Sequence, residues 1–251
     1  MIRDKCAIVV GASSGIGEAA AVQLARRGYR VALVARREHE LRKIAERINS
    51  RSPAGEERAL VFAHDVTHFN EVPELFDRIA QSLGGLTLVV YAAGVMPRVE
   101  PEEYDFSKDL KMVEVNLLGM IAWLNEAAQL FTRLQAGTIV GIGSIAGDRG
   151  RKGQPVYNTS KGAQAIYLET LRNRLAKHNV RVVTIKPGYI DTLMTRGMGN
   201  LLWMISAEEA GRLVANAAET ARATVYVPAR WRIVAWLLVH IPSFIFRRLD
   251  A

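Results

Sequence analysis

The sequence predicts an α/β fold built on a doubly wound parallel sheet, and three observations carry the prediction. Short runs rich in valine and isoleucine alternate with longer segments of helical period, from the first residues to about position 228. A glycine-rich stretch, VVGASSGIGEAA, sits where the first apolar run gives way to the first helical segment. The chain has 251 residues, 49% of them hydrophobic, enough for one large core, and neither a Pro/Ser-rich linker nor an internal repeat divides it. Strand, helix, strand repetition implies parallel pairing, right-handed crossovers and helices on both faces. The ligand crevice then lies at the carboxyl ends of the strands.

CAIVV is a continuous apolar run, the pattern of a strand buried on both faces. Cys6, the only cysteine, reads there as a small core residue rather than a nucleophile. No apolar signal segment precedes this strand, so a cytoplasmic protein, or one peripheral at the inner face of a membrane, is expected. Gly11, Gly15 and Gly17 mark the turn into a helix over Gly15 to Arg27. Glycine permits the tight turn, lets backbone approach a pyrophosphate and allows close packing of helix on sheet. Ser13, Ser14 and Ile16 complete the loop, and the helix start offers free N–H groups to phosphate. A purely structural turn would use the same glycines, but this position in an alternating chain favours dinucleotide binding.

YRVALVA and RALVFAH are the second and third strands, separated by a helix over Glu38 to Asn49. Arg36 and Arg37 end the second strand, and no acid follows before Glu38. A carboxylate at this point suits the ribose hydroxyls of NAD, whereas the rigid, permanently charged fork of a guanidinium suits the 2′-phosphate of NADP. The pair favours NADP(H), with NAD(H) as the alternative cofactor and a solvated surface pair as the plainer explanation. Asp65 and Val66 follow the third strand, where Asp65 is suited to cap a helix or close a turn. His64 and His68 bracket that acid without metal-ligand geometry, so they read as core or surface histidines and no metal is expected.

A helix over Phe69 to Ser82 leads to the fourth strand, LTLVVYA, then to Ala93 and Gly94 and to a long helix over Lys108 to Leu134. Asn116 falls inside that helix, where an amide is either a surface residue or awkward without partners. The fifth strand, GTIVGIG, delivers Ser144 to the carboxyl end of the sheet. The next helix, Tyr157 to His178, sets Tyr157 and Lys161 four residues apart on one face. A tyrosine with its usual pKa of about 10 is a poor base near neutrality. A neighbouring ammonium and an oxidised nicotinamide lower that pKa, and the Ser144 hydroxyl is suited to donate to the oxygen that Tyr157 protonates. VRVVTIK, the sixth strand, is followed by Pro187, Gly188, Ile190 and Thr192. Leu193 to Ser206 holds three methionines, three leucines and a tryptophan, which either cover an apolar substrate or pack on the body. A helix over Ala207 to Ala221 and a last strand, TVYVP, complete the alternation.

The order and spacing of these motifs resemble the classical short-chain dehydrogenase/reductase family. The match rests on Gly11, Gly15 and Gly17 at intervals of four and two, and on Ser144, Tyr157 and Lys161. The resemblance spans residues 11 to 192 and implies a Rossmann-type fold. It also implies that Asp65 meets the adenine amino group with help from the Val66 backbone, and that Ala93 and Gly94 give the cofactor backbone passage. Pro187 and Gly188 would shape the nicotinamide pocket, with Ile190 and Thr192 at the carboxamide. Asn116 would kink its helix and hold a water that connects the lysine to solvent, joining Ser144, Tyr157 and Lys161 as a catalytic residue. The chain departs from the family at Tyr91, where asparagine usually ties neighbouring strands, and at Gly143, often a second serine.

The expected activity is NADP(H)-dependent interconversion of a carbonyl and a secondary alcohol on a small apolar substrate, by a homodimer or homotetramer. The alternatives are a catalytically silent dinucleotide sensor and a membrane-associated reductase of lipid carbonyls. Residues 1–228 form the dinucleotide-binding catalytic domain in this reading, and residues 229–251 an apolar and basic C-terminal helical extension of it. A net charge of +8 suits phosphate or an anionic surface, but the basic residues are scattered and no basic block stands beside aromatics, which argues against nucleic acid. In the extension, Arg230, Arg232, Arg247 and Arg248 flank Trp231, Trp236, Phe244 and Phe246. Its apolar stretch is too short to span a bilayer, and Pro242 interrupts it. Packing on the body or a neighbouring subunit, a substrate lid and an interfacial anchor are its three readings.

Overall fold

The computed structural model describes residues 5–53, 56–199, 201–221 and 223–249. Seven strands form one sheet: β1 (Cys6–Val10), β2 (Arg30–Ala35), β3 (Ala59–Ala63), β4 (Leu88–Tyr91), β5 (Gly137–Ile142), β6 (Val180–Pro187) and β9 (Thr224–Val227). A two-residue pair, β7 (Ile190–Asp191) with β8 (Ile205–Ser206), ties the two ends of the 192–204 segment together. The sheet order is β3-β2-β1-β4-β5-β6-β9, and every neighbouring pair is parallel. This is the doubly wound, Rossmann-type arrangement that the alternation predicts.

Alternation along the buried strands sorts side chains into two cores. Ala7, Val9, Val31 and Leu33 pack with α1 (Gly15–Arg26), α2 (Glu38–Asn49) and α7 (Ala207–Thr220) on one face. Ile8, Val10 and Val34 face the other way, toward α3 (Val72–Leu83), α5 (Gly119–Leu134) and α6 (Pro155–Leu175). Winding reverses between β1 and β4, so the chain leaves these adjacent strands toward opposite faces and opens a crevice at their carboxyl ends. Gly11 leaves β1 there with φ +88°, and a side chain on it would collide with the backbone of Ala93. Gly17 sits so close beneath that a Cβ would strike the Gly11 carbonyl, which sets the depth of α1 against the sheet.

Three predicted helices differ from the structure by more than one residue at an end. The segment expected from Phe69 opens as a short 3₁₀ turn, Phe69–Glu71, before α3. The helix expected from Tyr157 starts two residues earlier, because Pro155 fits the first turn of α6, and it ends in a 3₁₀ turn over Ala176–His178. The segment expected over Lys108 to Leu134 starts at α4 (Phe106–Met112), where the Asp105 carboxylate accepts from the amides of Ser107 at 2.8 Å and Lys108 at 3.4 Å. It then widens into a π segment over Val113–Leu118 before continuing as α5.

Tyr91 accounts for the departure noted at its position. Its backbone pairs with Val10 on one side and Gly141 on the other, so the sheet closes without the missing asparagine. The fully buried phenol donates to the Val115 carbonyl inside the π segment at 2.6 Å. Burial, reinforced by the negative charge of Asp65, pushes this phenol far up, so it stays a donor at every ordinary pH. Gly119 makes the room: a Cβ there would lie 2.5 Å from the Tyr91 oxygen and 3.1 Å from the Val66 carbonyl.

Beyond β9, α8 (Trp231–His240) and α9 (Ser243–Phe246) lie on the body, with Trp231, Ala235 and Phe246 buried. Among the described residues no helix is long and apolar enough to cross a membrane. Replacing the Tyr91 phenol leaves a buried acceptor unpaired, so Tyr91→Phe should lower the urea unfolding free energy by about 1–3 kcal/mol. An unchanged urea midpoint would contradict the role given to this hydrogen bond.

Candidate active site

The crevice is a cleft of about 280 Å³ running from the β1–α1 turn to the start of the 192–204 segment. One continuous wall gathers Gly11, Ser13, Ser14, Gly15, Ile16 and Gly17 from that turn, Arg36 and Arg37 from the end of β2, and Asp65 and Val66 from beyond β3. Ala93 and Gly94 follow β4, Ser144 follows β5, Tyr157 and Lys161 come from α6, and Pro187, Gly188, Ile190 and Thr192 from the end of β6 onward. Asn116 is the exception among the sequence candidates: it is fully buried behind this wall.

At one end the donors suit phosphate. Ser14 occupies the N-cap position of α1, yet its side chain makes no capping bond, which leaves the first-turn amides without a side-chain acceptor. Both serine hydroxyls instead accept from Arg37, Ser13 at 3.0 Å and Ser14 at 2.7 Å, drawing that guanidinium across the mouth of the loop. Arg36 reaches Asp65 at 3.5 Å and remains more than half exposed. Burial pushes the Asp65 carboxyl up, but the amide and hydroxyl of Thr67 at 3.0 and 2.9 Å, with Arg36 beyond, outweigh it and hold the acid below its usual range. Asp65 is therefore both a turn residue and part of the cleft. A cradle with no room for side chains at Gly11 and Gly17, free helix-start amides and two guanidiniums fits a dinucleotide.

At the other end a buried polar knot holds the reactive side chains. The Asn116 amide accepts from the Val95 N–H at 2.8 Å and donates to the Val95 carbonyl at 3.0 Å and to Ser160 Oγ at 3.1 Å. Ser160 in turn donates to the Tyr157 carbonyl at 2.8 Å. Gln164 donates from its amide to the Asn116 carbonyl, the main-chain acceptor freed in the π segment. Asn116 is thus no surface amide. Its side chain ties the loop after β4 to the first turns of α6.

Lys161 Nζ donates to the Ile142 carbonyl at 3.1 Å and lies 5.7 Å from the Tyr157 ring centre. Burial pushes its ammonium down to about 7. Burial raises the Tyr157 phenol, and the Ser144 hydroxyl and the Arg151 charge offset part of that rise. Ser144 is fixed by accepting from the Ala146 N–H at 3.0 Å. The stretch after it is braced by Asp148, which pairs with Lys186 and accepts from the Tyr226 hydroxyl at 3.1 Å. Burial and that carboxylate push Tyr226 up to about 12.

Several residues of this site escaped the sequence reading. Ser160 and Gln164 carry the signal that would have found them, since 157, 160, 161 and 164 share one helical face. Val95 and Val115 add apolar wall to the cleft and look like ordinary core or surface residues in sequence. The segment from Leu193 to Met204 exposes most of its large apolar side chains instead of burying them on the body, and Leu193 and Met194 face the cleft. His64 is a core histidine, edge-on to Trp123 with ring centres 5.7 Å apart, and His68 is at the surface.

Residues 5–200 match the family described as short chain dehydrogenase. An uncharacterized oxidoreductase of Staphylococcus saprophyticus is 36% identical over 191 residues, which is 76% of this chain and 80% of the relative. A short-chain type dehydrogenase/reductase from Mycobacterium marinum superposes with a TM-score of 0.78 at 27% identity, covering 88% of this chain and 93% of that one. The actinorhodin polyketide ketoreductase, solved with NADPH, gives a TM-score of 0.79 at 25% identity over 89% and 95% of the two chains. With the glycine turn, the crevice and the serine, tyrosine and lysine brought to one wall, the chain belongs to the short-chain dehydrogenase/reductase family of oxidoreductases.

Proposed function

We propose that the protein is an NADP(H)-dependent oxidoreductase that interconverts a carbonyl and a secondary alcohol on an apolar substrate. The observation that carries this reading is the convergence of Ser144, Tyr157 and Lys161 on the cleft that Arg36 and Arg37 border at its far end. When bound, the nicotinamide supplies the hydride to the carbonyl carbon or takes it back. The Tyr157 phenol delivers the proton to the carbonyl oxygen in reduction and removes it in oxidation. Ser144, held by its bond to Ala146, donates to the same oxygen. The phenol's raised pKa keeps its proton in place near neutrality, the state that reduction needs. Val95, Val115, Leu193 and Met194 support an apolar substrate, because a charged one would lose hydration against this wall without a partner.

Lys161 links cofactor binding to protonation. With its ammonium pushed down to about 7, the lysine is only partly charged in the free enzyme near neutrality. Lys161 lines the cleft that would take the cofactor, whose net negative charge would favour the ammonium and raise its pKa. A group whose pKa rises on binding takes up a proton, so affinity is greatest below pH 7 and weakens as the pH climbs through the shifted range. Calorimetry of NADPH binding near pH 7.5, in two buffers of different ionisation enthalpy, should show uptake of about half a proton or more. Lys161→Met should abolish it, and proton release or no uptake in the wild type would count against this coupling.

Tyr157→Phe should bind NADPH within a few-fold of wild type while losing about 10²- to 10⁴-fold in turnover on apolar ketones, followed by NADPH absorbance. Substantial turnover in that variant sinks the mechanism. Tight NADPH binding with no turnover across a broad panel favours the silent sensor. For the cofactor, the wild type should prefer NADPH to NADH, and Arg36→Asp combined with Arg37→Ser should cut that preference about 10- to 100-fold. A wild-type ratio near one removes the NADP assignment.

A further inference from the structure

We infer that α8 and α9, with the neighbouring 192–204 segment, form a docking surface for an anionic phospholipid bilayer. The strap is fastened to the body from beneath. Trp231 packs on Gly188 so closely that any side chain there would strike the indole, and it stands edge-on to Tyr189 and Trp203 with ring centres 5.5 and 5.7 Å away. At the far end, Arg149 donates to the carbonyls of Leu238 and Ile241 at 2.5 Å each and stacks 4.0 Å from the Phe246 ring centre. Its outer side is the reverse of an ordinary surface helix. Ile233 is 66% exposed, Trp236 60% and Phe244 59%, with Leu237 and Ile245 beside them. Leu202 continues this apolar exterior on the 192–204 segment.

Charge decides what covers this face. Residues 223–249 contain no acid, nor do residues 192–206. Arg196, Arg230, Arg232, Arg247 and Arg248 are all exposed, and none forms an ion pair among the described residues. Arg230 lies 5.3 Å from the Trp203 ring centre, the stem-along-ring arrangement that keeps a guanidinium at a polar boundary. A second copy meeting this face through a twofold axis would bring arginines onto arginines, and the carboxylate beside the strap, Asp148, is already paired with Lys186. A bilayer of anionic lipid answers both features, taking the indole and phenyl rings at its interface and the guanidiniums at its phosphates. With no spanning helix among the described residues, the attachment is peripheral. It is independent of the proposed reaction, because partition rather than turnover reports it.

The test is co-sedimentation of the full chain with vesicles of phosphatidylcholine alone or with about one-third phosphatidylglycerol. The wild type should partition at least about tenfold more strongly to the anionic vesicles and lose that advantage in high salt. Arg247→Glu with Arg248→Glu, and separately Ile233→Ser with Trp236→Ser, should each weaken partition about tenfold while far-UV dichroism and thermal midpoint stay near wild type. If either pair disturbs the fold, the comparison of neutral with anionic vesicles on the wild type still decides. No binding to either vesicle, or binding indifferent to lipid charge, overturns the inference. So does self-association without lipid that the same substitutions abolish, since that would assign the face to a second copy.

Discussion

The architecture of the site turns on one buried amide. Asn116 sits in a helix wall, out of contact with the cleft, and its side chain satisfies both backbone groups of Val95 while reaching Ser160. A buried amide without such partners would cost a few kcal/mol, so the loop after β4 and the start of α6 are held at the spacing that supplies them. The π segment is the geometric consequence. Widening the helix turns Asn116 inward and frees main-chain carbonyls, and Gln164 and Tyr91 approach from opposite sides to take the Asn116 and Val115 oxygens. Tyr157 and Lys161, on the helix that Ser160 and Gln164 anchor, inherit their position from this knot.

The electrostatics follow from where the chain hides its charges. Most basic residues lie at the surface, but Lys161 is buried, and among the described residues its ammonium has only the Ile142 carbonyl as a hydrogen-bond partner. A buried amine without a counter-ion is costly when charged, and its lowered pKa expresses that cost. The compensation is left for an anion to bring. Arg36 and Arg37 sit differently: both are exposed at the end of the cleft, where the proposed function uses them for recognition. Three positive groupings thus differ in setting: one responsive amine, a pair at the cleft end and a cluster on the C-terminal strap.

What was legible in the sequence was whatever is decided locally. The strands showed because parallel strands buried on both faces need unbroken apolar runs, and the glycine turn showed because Gly11 and Gly17 have no room for a side chain. The four-residue interval of Tyr157 and Lys161 showed because helical geometry puts them on one face. The rest depends on contacts between distant segments. Nothing near Val115 announces a π segment, since its partner phenol lies 24 residues earlier on another strand. Tyr91 accordingly read as a departure from the family pattern, when its hydrogen bond goes to a helix instead of to a neighbouring strand. Arg149 likewise finds its partners at 238 to 241, about ninety residues away in the chain.

Those distant contacts also make the strap part of the site. Gly188 lines the cleft on one side and carries the Trp231 indole on the other, so the turn after β6 has no freedom that α8 does not share. Arg149 belongs to the stretch that leaves Ser144, and Asp148 beside it is pinned by Lys186 and Tyr226 from β6 and β9. The far end of α8 is therefore bonded to the same short stretch of chain whose Ala146 amide fixes the Ser144 hydroxyl. A force on the outer face of the strap has two short routes inward, through Trp231 to Gly188 and through Arg149 to the Ser144 turn. Both reach backbone that borders the cleft, at Gly188 and at Ser144. A partner that lies flat on the strap leaves Trp231 on Gly188 and Arg149 on the α8 carbonyls in place, whereas one that pries it up breaks both contacts.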